Sequence, residues 1–173
     1  MDKSCNFAVV IFQFYSMHRF WLSVLLLFVP CFLFFGSKSS VRTAEEPDAI
    51  SLEKAEACAG LYRSMQLEGV VNWKAFRQAV AGFYKIENRK REILTLIDFS
   101  RPSTEKRLFV FDMKQRKLLF SSVVSHGKNS GENYATSFSN EYGSYKSSLG
   151  FYLTESTYQG KNGYSLILDG LEK

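Results

Sequence analysis

Arg107-Leu108-Phe109-Val110-Phe111-Asp112 is followed by Met113-Lys114-Gln115-Arg116 and then by Lys117-Leu118-Leu119-Phe120-Ser121-Ser122-Val123-Val124. Two runs rich in aliphatic and aromatic residues flank a short polar connection, which is the pattern of a β-hairpin. Upstream, residues 93–99 (ILTLIDF) form another β-type run, ended by Ser100-Arg101-Pro102-Ser103. Downstream, residues 121–166 are rich in Ser, Tyr, Gly and Asn and contain no proline, with short strands expected at 150–154 and 163–168. Before the hairpin, residues 51–66 repeat apolar positions at helical spacing (55, 58, 59, 62). Asn72 then precedes Trp73, Phe76, Val80 and Phe83, the signature of an N-capped amphipathic helix. The order is a helical lead-in followed by short strands, so the fold class is mainly β with two short helices in front.

The chain has 173 residues, 46% hydrophobic and 23% charged, which excludes a disordered or collagen-like polymer. Its net charge of +5 invites a nucleic-acid reading. Residues 1–44, however, hold four bases (Lys3, Arg19, Lys38, Arg42) against Asp2, leaving 18 bases and 16 acids for the remainder. With no basic stripe in the body, nucleic acid is not the expected partner.

The N-terminal excess of charge flanks residues 20–35 (FWLSVLLLFVPCFLFF), an apolar run interrupted by Pro30. At about 1.5 Å per residue this run spans a bilayer core of about 30 Å only marginally. Met17-His18-Arg19, the run itself and Gly36-Ser37-Lys38-Ser39-Ser40 follow the order of a signal peptide. Residues 1–44 are therefore read as a signal peptide or an uncleaved inner-membrane anchor plus linker, with Met17 as the expected true start. Residues 45–90 are the helical lead-in and residues 91–173 the β domain. Export, to the periplasm or to the outer face of the inner membrane, follows from either reading of the leader.

Cys5, Cys31 and Cys58 are the cysteines, and the first two lie in the leader. One thiol in the body forms no internal disulfide, and Cys58 on a helix face with Ala55, Tyr62 and Met65 reads as a small core residue. His126 is the one histidine after the leader, so a Cys/His metal site is not expected, and no cofactor is implied.

The polar stretch carries a specific order of motifs. It runs Ser125-His126-Gly127-Lys128-Asn129-Ser130-Gly131, Phe138-Ser139-Asn140, then Ser147-Ser148-Leu149-Gly150-Phe151-Tyr152. Tyr158-Gln159-Gly160-Lys161-Asn162-Gly163-Tyr164-Ser165-Leu166 and Asp169-Gly170-Leu171-Glu172 complete it. With residues 107–112, this series resembles the murein L,D-transpeptidase catalytic domain family, from about Trp73 to the last residue. The resemblance implies a β-sandwich-like fold opened by the 107–124 hairpin, here incomplete. It places residues 124–128 at a strand end before the substrate groove, 147–152 on the strand matching a threonine-proline-glycine element, and 163–168 on the strand leading to the catalytic histidine. The family cleaves wall stem peptides after a meso-diamino acid and passes the acyl group from a cysteine thiolate to an amine on another strand. Peptidoglycan stem peptides are thus the implied partner.

The sequence departs from the family where the chemistry lies. The family's His-Gly and Ser-x-Gly-Cys motifs follow the Asp-Gly-Leu-Glu segment, and in this sequence neither does. Acyl transfer through sulfur needs a thiol, a base in reach and an oxyanion site. The sequence as given therefore implies no catalytic residue and no turnover, and a non-catalytic wall-binding module is the alternative. His126, Asn129, Ser130, Ser147 and Ser148 are the candidate substrate contacts, and turn formation accounts for the same residue types. The tyrosines at 142, 145, 152, 158 and 164 suit either sugar stacking or strand support. Ser103-Thr104-Glu105-Lys106 matches the S-x-x-K pattern of serine acyltransferases, a remote alternative because that chemistry needs the serine to open a helix.

Overall fold

The computed structural model describes residues 8–12, 49–87, 89–161 and 163–171. In chain order these form β1 (Ala8–Phe12), α1 (Ala49–Ser64), α2 (Trp73–Phe83), β2 (Ile93–Asp98), β3 (Leu108–Asp112) and β4 (Lys117–Ser122). The long hairpin β5 (Gly150–Gly160) and β6 (Gly163–Gly170) follows. The described chain is mostly β with two helices in front, as the sequence pattern implies.

Each helix forms for local reasons. The Asn72 side chain accepts from the backbone N–H groups of Lys74 (2.9 Å) and Ala75 (3.2 Å), satisfying two orphan donors at the start of α2. Phe76, Val80 and Phe83 then fall on one buried face together with Ala75 and Ala79. In α1 the same spacing buries Cys58 and Tyr62, and Met65 is buried just past its end. The Tyr62 hydroxyl donates to the Val71 carbonyl, and its ring meets Trp73 edge-on at 5.1 Å and Phe76 at 5.4 Å. These contacts fasten the two helices into one unit.

That unit sits on the sheet. Leu94 and Leu96 of β2 and Phe109 and Phe111 of β3 join Phe76 and Phe83 in one core, with Phe76 edge-on to Phe111 at 5.4 Å. Burial of each such side chain contributes about 1.5–3 kcal/mol, so this cluster is the main stabilising feature of the described chain. Gly82 lets α2 approach β5: a methyl there would stand 1.8 Å from Cε1 of Phe151.

The strand order is β4-β3-β2-β1-β5-β6. It contains two antiparallel units, β2–β3–β4 and β5–β6, joined through β1. The β1 strand runs parallel to β2 (Ala8 opposite Leu94, Phe12 opposite Asp98) and antiparallel to β5 (Ala8 opposite Leu153). The sequence reading assigns Ala8–Phe12 to the leader or to an extension before Met17, and here it is a strand between two others. Its residues, Ala-Val-Val-Ile-Phe, have high strand propensity, and both neighbouring strands offer it backbone partners. The remaining leader features, including Met17, residues 20–35, Cys5 and Cys31, lie outside the described residues. Among the described residues no helix is long and apolar enough to cross a membrane.

The strands extend beyond their apolar cores. β5 runs to Gly160 because Thr154, Thr157 and Tyr158 continue a β-favouring pattern, and a register irregularity between Thr154 and Thr157 absorbs a local mismatch with β6.

Candidate functional site

Between β4 and β5 the chain spends residues 123–149 in a loop that folds back on itself. Its root is Arg107, fully buried at the entry to β3. The guanidinium donates from Nε and Nη2 to the Val124 carbonyl (3.0 and 2.7 Å) and from Nη1 to the Arg101 carbonyl (3.0 Å). Its Nη2 also lies 2.8 Å from Nδ1 of His126. A guanidinium has donors and no acceptor, so Nδ1 of His126 must accept. The proton then sits on Nε2, which donates to the Gly131 carbonyl at 3.1 Å. The two contacts fit the Nε2–H tautomer of His126, with both ring nitrogens spent on the chain itself.

Arg107 also lies over the Phe99 ring (4.8 Å), which meets His126 edge-on at 6.2 Å and Phe138 at 5.8 Å. Burial pushes the Arg107 guanidinium below its usual range, and the charge of Asp98 opposes that shift. Asp98 is itself fully buried; its Oδ1 accepts from the Ser100 amide (3.0 Å), and its Oδ2 lies 3.8 Å from Nε of Arg101.

The candidate residues next to His126 knit the loop. The Gly127 amide donates to Ser147 Oγ (2.9 Å), and the Ser147 amide donates to Ser130 Oγ (2.8 Å). The Ser130 amide closes a turn on the Gly127 carbonyl (2.8 Å). Asn129 binds the 144–145 backbone twice, its amide to the Tyr145 carbonyl (3.1 Å) and its Nδ2 to the Ser144 carbonyl (2.9 Å). Gly127 is required by this close approach: a Cβ there would stand 2.5 Å from the Tyr145 carbonyl oxygen and 2.8 Å from the Ser147 nitrogen. Tyr145 takes a left-handed φ of 55° at the same spot, and its ring lies under Nζ of Lys128 at 4.0 Å.

The structure thus brings His126, Asn129, Ser130 and Ser147 together and places Ser148 apart. Ser148 lines a small cavity of about 210 Å³ with Asn140, Leu149 and Tyr152, where the loop enters β5. Asn129 is exposed, as are Tyr134, Tyr142 and Tyr145, whereas Ser130 is fully buried. Sequence reasoning missed Arg107 as the clamp of this loop. The available signal was a charged residue abutting the apolar run 108–111, a position where a strand entry can carry a buried cation only if the surrounding carbonyls pay for it.

The thiol lies elsewhere. Cys58 belongs to the helical core; burial raises its pKa from 9.0, and Arg77 partly opposes the shift. Among the described residues no hydrogen bond joins it to His126, and no group of three or more His, Cys, Asp or Glu could hold a metal ion. Ser103 lies in the turn between β2 and β3, its amide donating to the Asn133 carbonyl (2.7 Å), so the S-x-x-K match does not open a helix.

Comparison with curated proteins and with solved structures gave no match. A family model, described as the L,D-transpeptidase catalytic domain, matches residues 67–173, which run from just before α2 through the clamped loop and the β5–β6 hairpin. That match covers more than half of the sequence, and the chain belongs to the L,D-transpeptidase catalytic domain family.

Proposed function

We propose that this chain carries the substrate-holding scaffold of a murein L,D-transpeptidase domain, engages peptidoglycan stem peptides, and does not itself turn them over. The single observation that carries the reading is the family match over residues 67–173. The absence of turnover is supported by the thiol and the histidine that lie among the described residues. Cys58 is a core thiol whose pKa is raised by burial, and His126 has no nitrogen left to act as a base. Exposed Asn129 and half-buried Ser148, where the loop enters β5, are the proposed contacts with the stem peptide. His126, Ser130 and Ser147 act behind them by fixing the loop's shape. Export behind the N-terminal apolar segment, to the periplasm or the outer face of the inner membrane, is the compartment this substrate requires.

A wall-binding role without catalysis is the second reading, favoured by the exposed Tyr134, Tyr142 and Tyr145 of the same loop. Aromatic faces of this kind stack on sugars and peptides with little loss of side-chain entropy. Co-sedimentation of the full chain with isolated sacculi at moderate salt tests both. Retention that falls on Asn129→Ala and Tyr142→Ala supports the loop as the contact. Complete release of the parent chain into the supernatant removes wall engagement, and with it the proposed function.

A further inference from the structure

A second concavity, outside the clamped loop, opens between α1, α2 and the turn joining β3 to β4. It has a volume of about 1120 Å³. Three separate elements deliver cations to its rim: Lys54 from α1, Arg77 and Lys85 from α2 and its end, and Lys114 and Arg116 from the turn. Helical spacing explains the convergence. Lys54, Cys58 and Leu61 share one stripe of α1, while Arg77, Val80 and Ala81 share one stripe of α2 that its C-cap Tyr84 continues. The floor between the cations is apolar, formed by Leu61, Val80 and Met113.

No aspartate or glutamate lines this groove, and among the described residues none of the five cations forms an ion pair. Among the described residues the ion pairs formed are those of Arg89 with Glu92 and Arg101 with Asp98, outside the groove. Five cations lining one groove raise its positive potential, which favours an anionic occupant. Arg116 adds a local cost, because it holds a left-handed φ of 55° at a turn position where glycine is unstrained. The Arg77 charge also reaches the floor, where it acts against the burial shift of Cys58.

We propose that this groove binds an anion of the phosphate class carried on an apolar body. Arg77 and Arg116 offer planar donor forks suited to a tetrahedral oxyanion, Lys54, Lys85 and Lys114 act as point charges around it, and the apolar floor receives the attached group. A soluble organic phosphate and the headgroup of an anionic lipid share this chemistry.

The test uses the full chain against two probes, inorganic pyrophosphate in solution and vesicles of phosphatidylglycerol in phosphatidylcholine, with phosphatidylcholine alone as the blank. Binding to pyrophosphate points to a soluble phosphate, and binding to the anionic vesicles alone points to a lipid headgroup; either supports the site. In both arms the affinity should fall as salt rises. Each groove cation removed should weaken binding about two- to fivefold, and the combination Arg77→Gln, Lys114→Gln and Arg116→Gly by at least about tenfold. Arg116→Gly separates binding from folding, since it relieves the turn: its melting temperature should equal or exceed the parent's while its affinity drops. Arg63→Gln with Lys161→Gln, exposed cations outside the groove, should leave affinity unchanged. Failure to bind either probe, or equal losses in the groove variants and this control pair, would overturn the proposal.

Discussion

Replacing Arg107 with methionine keeps most of the buried volume and removes every donor at the root of the loop. The Val124 carbonyl loses two hydrogen bonds, and the Arg101 carbonyl and Nδ1 of His126 lose one each. A buried acceptor left without its donor costs about 1–3 kcal/mol, and breaking a buried charged network by removing one member costs about 3–5 kcal/mol. Water entering beside Val124 and His126 offsets part of the first sum, so the expected loss is about 3–5 kcal/mol, a large share of a domain's total stability. Asp98 sharpens the test. It is buried, it acts electrostatically on Arg107, and its Oδ2 has no hydrogen-bond partner among the described residues. Once Arg107 is gone the buried Asp98 loses one of the two cations acting on it and keeps Arg101 at 3.8 Å, so Asp98→Asn should be less harmful in the methionine background than in the parent, by about 0.5–3 kcal/mol of coupling. Urea denaturation of the four proteins at 25 °C, followed by circular dichroism, measures both quantities. A loss below about 1 kcal/mol for Arg107→Met with purely additive behaviour would refute the clamp.

Three further outcomes follow from the same geometry. Nitrogen-15 NMR of His126 at neutral pH should show a hydrogen-bonded Nδ1 without a proton and an Nε2 bearing one; Arg107→Met should shift the Nδ1 resonance by removing its donor, while the Nε2–H to the Gly131 carbonyl remains. Gly127→Ala forces the chain away from the Tyr145 carbonyl and should cost about 1–3 kcal/mol, with hydrogen-exchange protection lost at Asn129 and Ser147 before it is lost in β2. Cys58 should react with iodoacetamide far more slowly in the native than in the urea-unfolded chain, as read by peptide mass mapping. Because its folded pKa is raised, the stability linked to this thiol is fully present below its unfolded value of about 9.0 and is lost as the pH rises through the folded value.

Much of the architecture is readable from local pattern. Asn72 before Trp73, Phe76, Val80 and Phe83 announces α2, and the observed cap bonds are the ones that pattern implies. The 107–124 hairpin is equally plain, since both strands and the turn are contiguous in sequence. β1 was not readable, because a five-residue apolar run inside a longer apolar stretch looks the same whether it pairs with a distant strand or belongs to a leader. Its partners, β2 and β5, are remote in sequence, and only tertiary structure reveals such pairing. The residues of the candidate loop were visible as types, but their division of labour was not. Whether a serine faces substrate or accepts a backbone N–H, as Ser130 does from Ser147, depends on how the loop closes. Likewise the five groove cations come from three segments, and nothing in their spacing along the chain brings them together.

The most direct test of the central claim is intact-mass spectrometry of the full chain after incubation with a purified tetrapeptide muropeptide. The account predicts an unchanged protein mass, no released terminal residue and no cross-linked product, alongside retention of the same protein on sacculi. An acyl adduct on any cysteine with stoichiometric release of the terminal residue would contradict it.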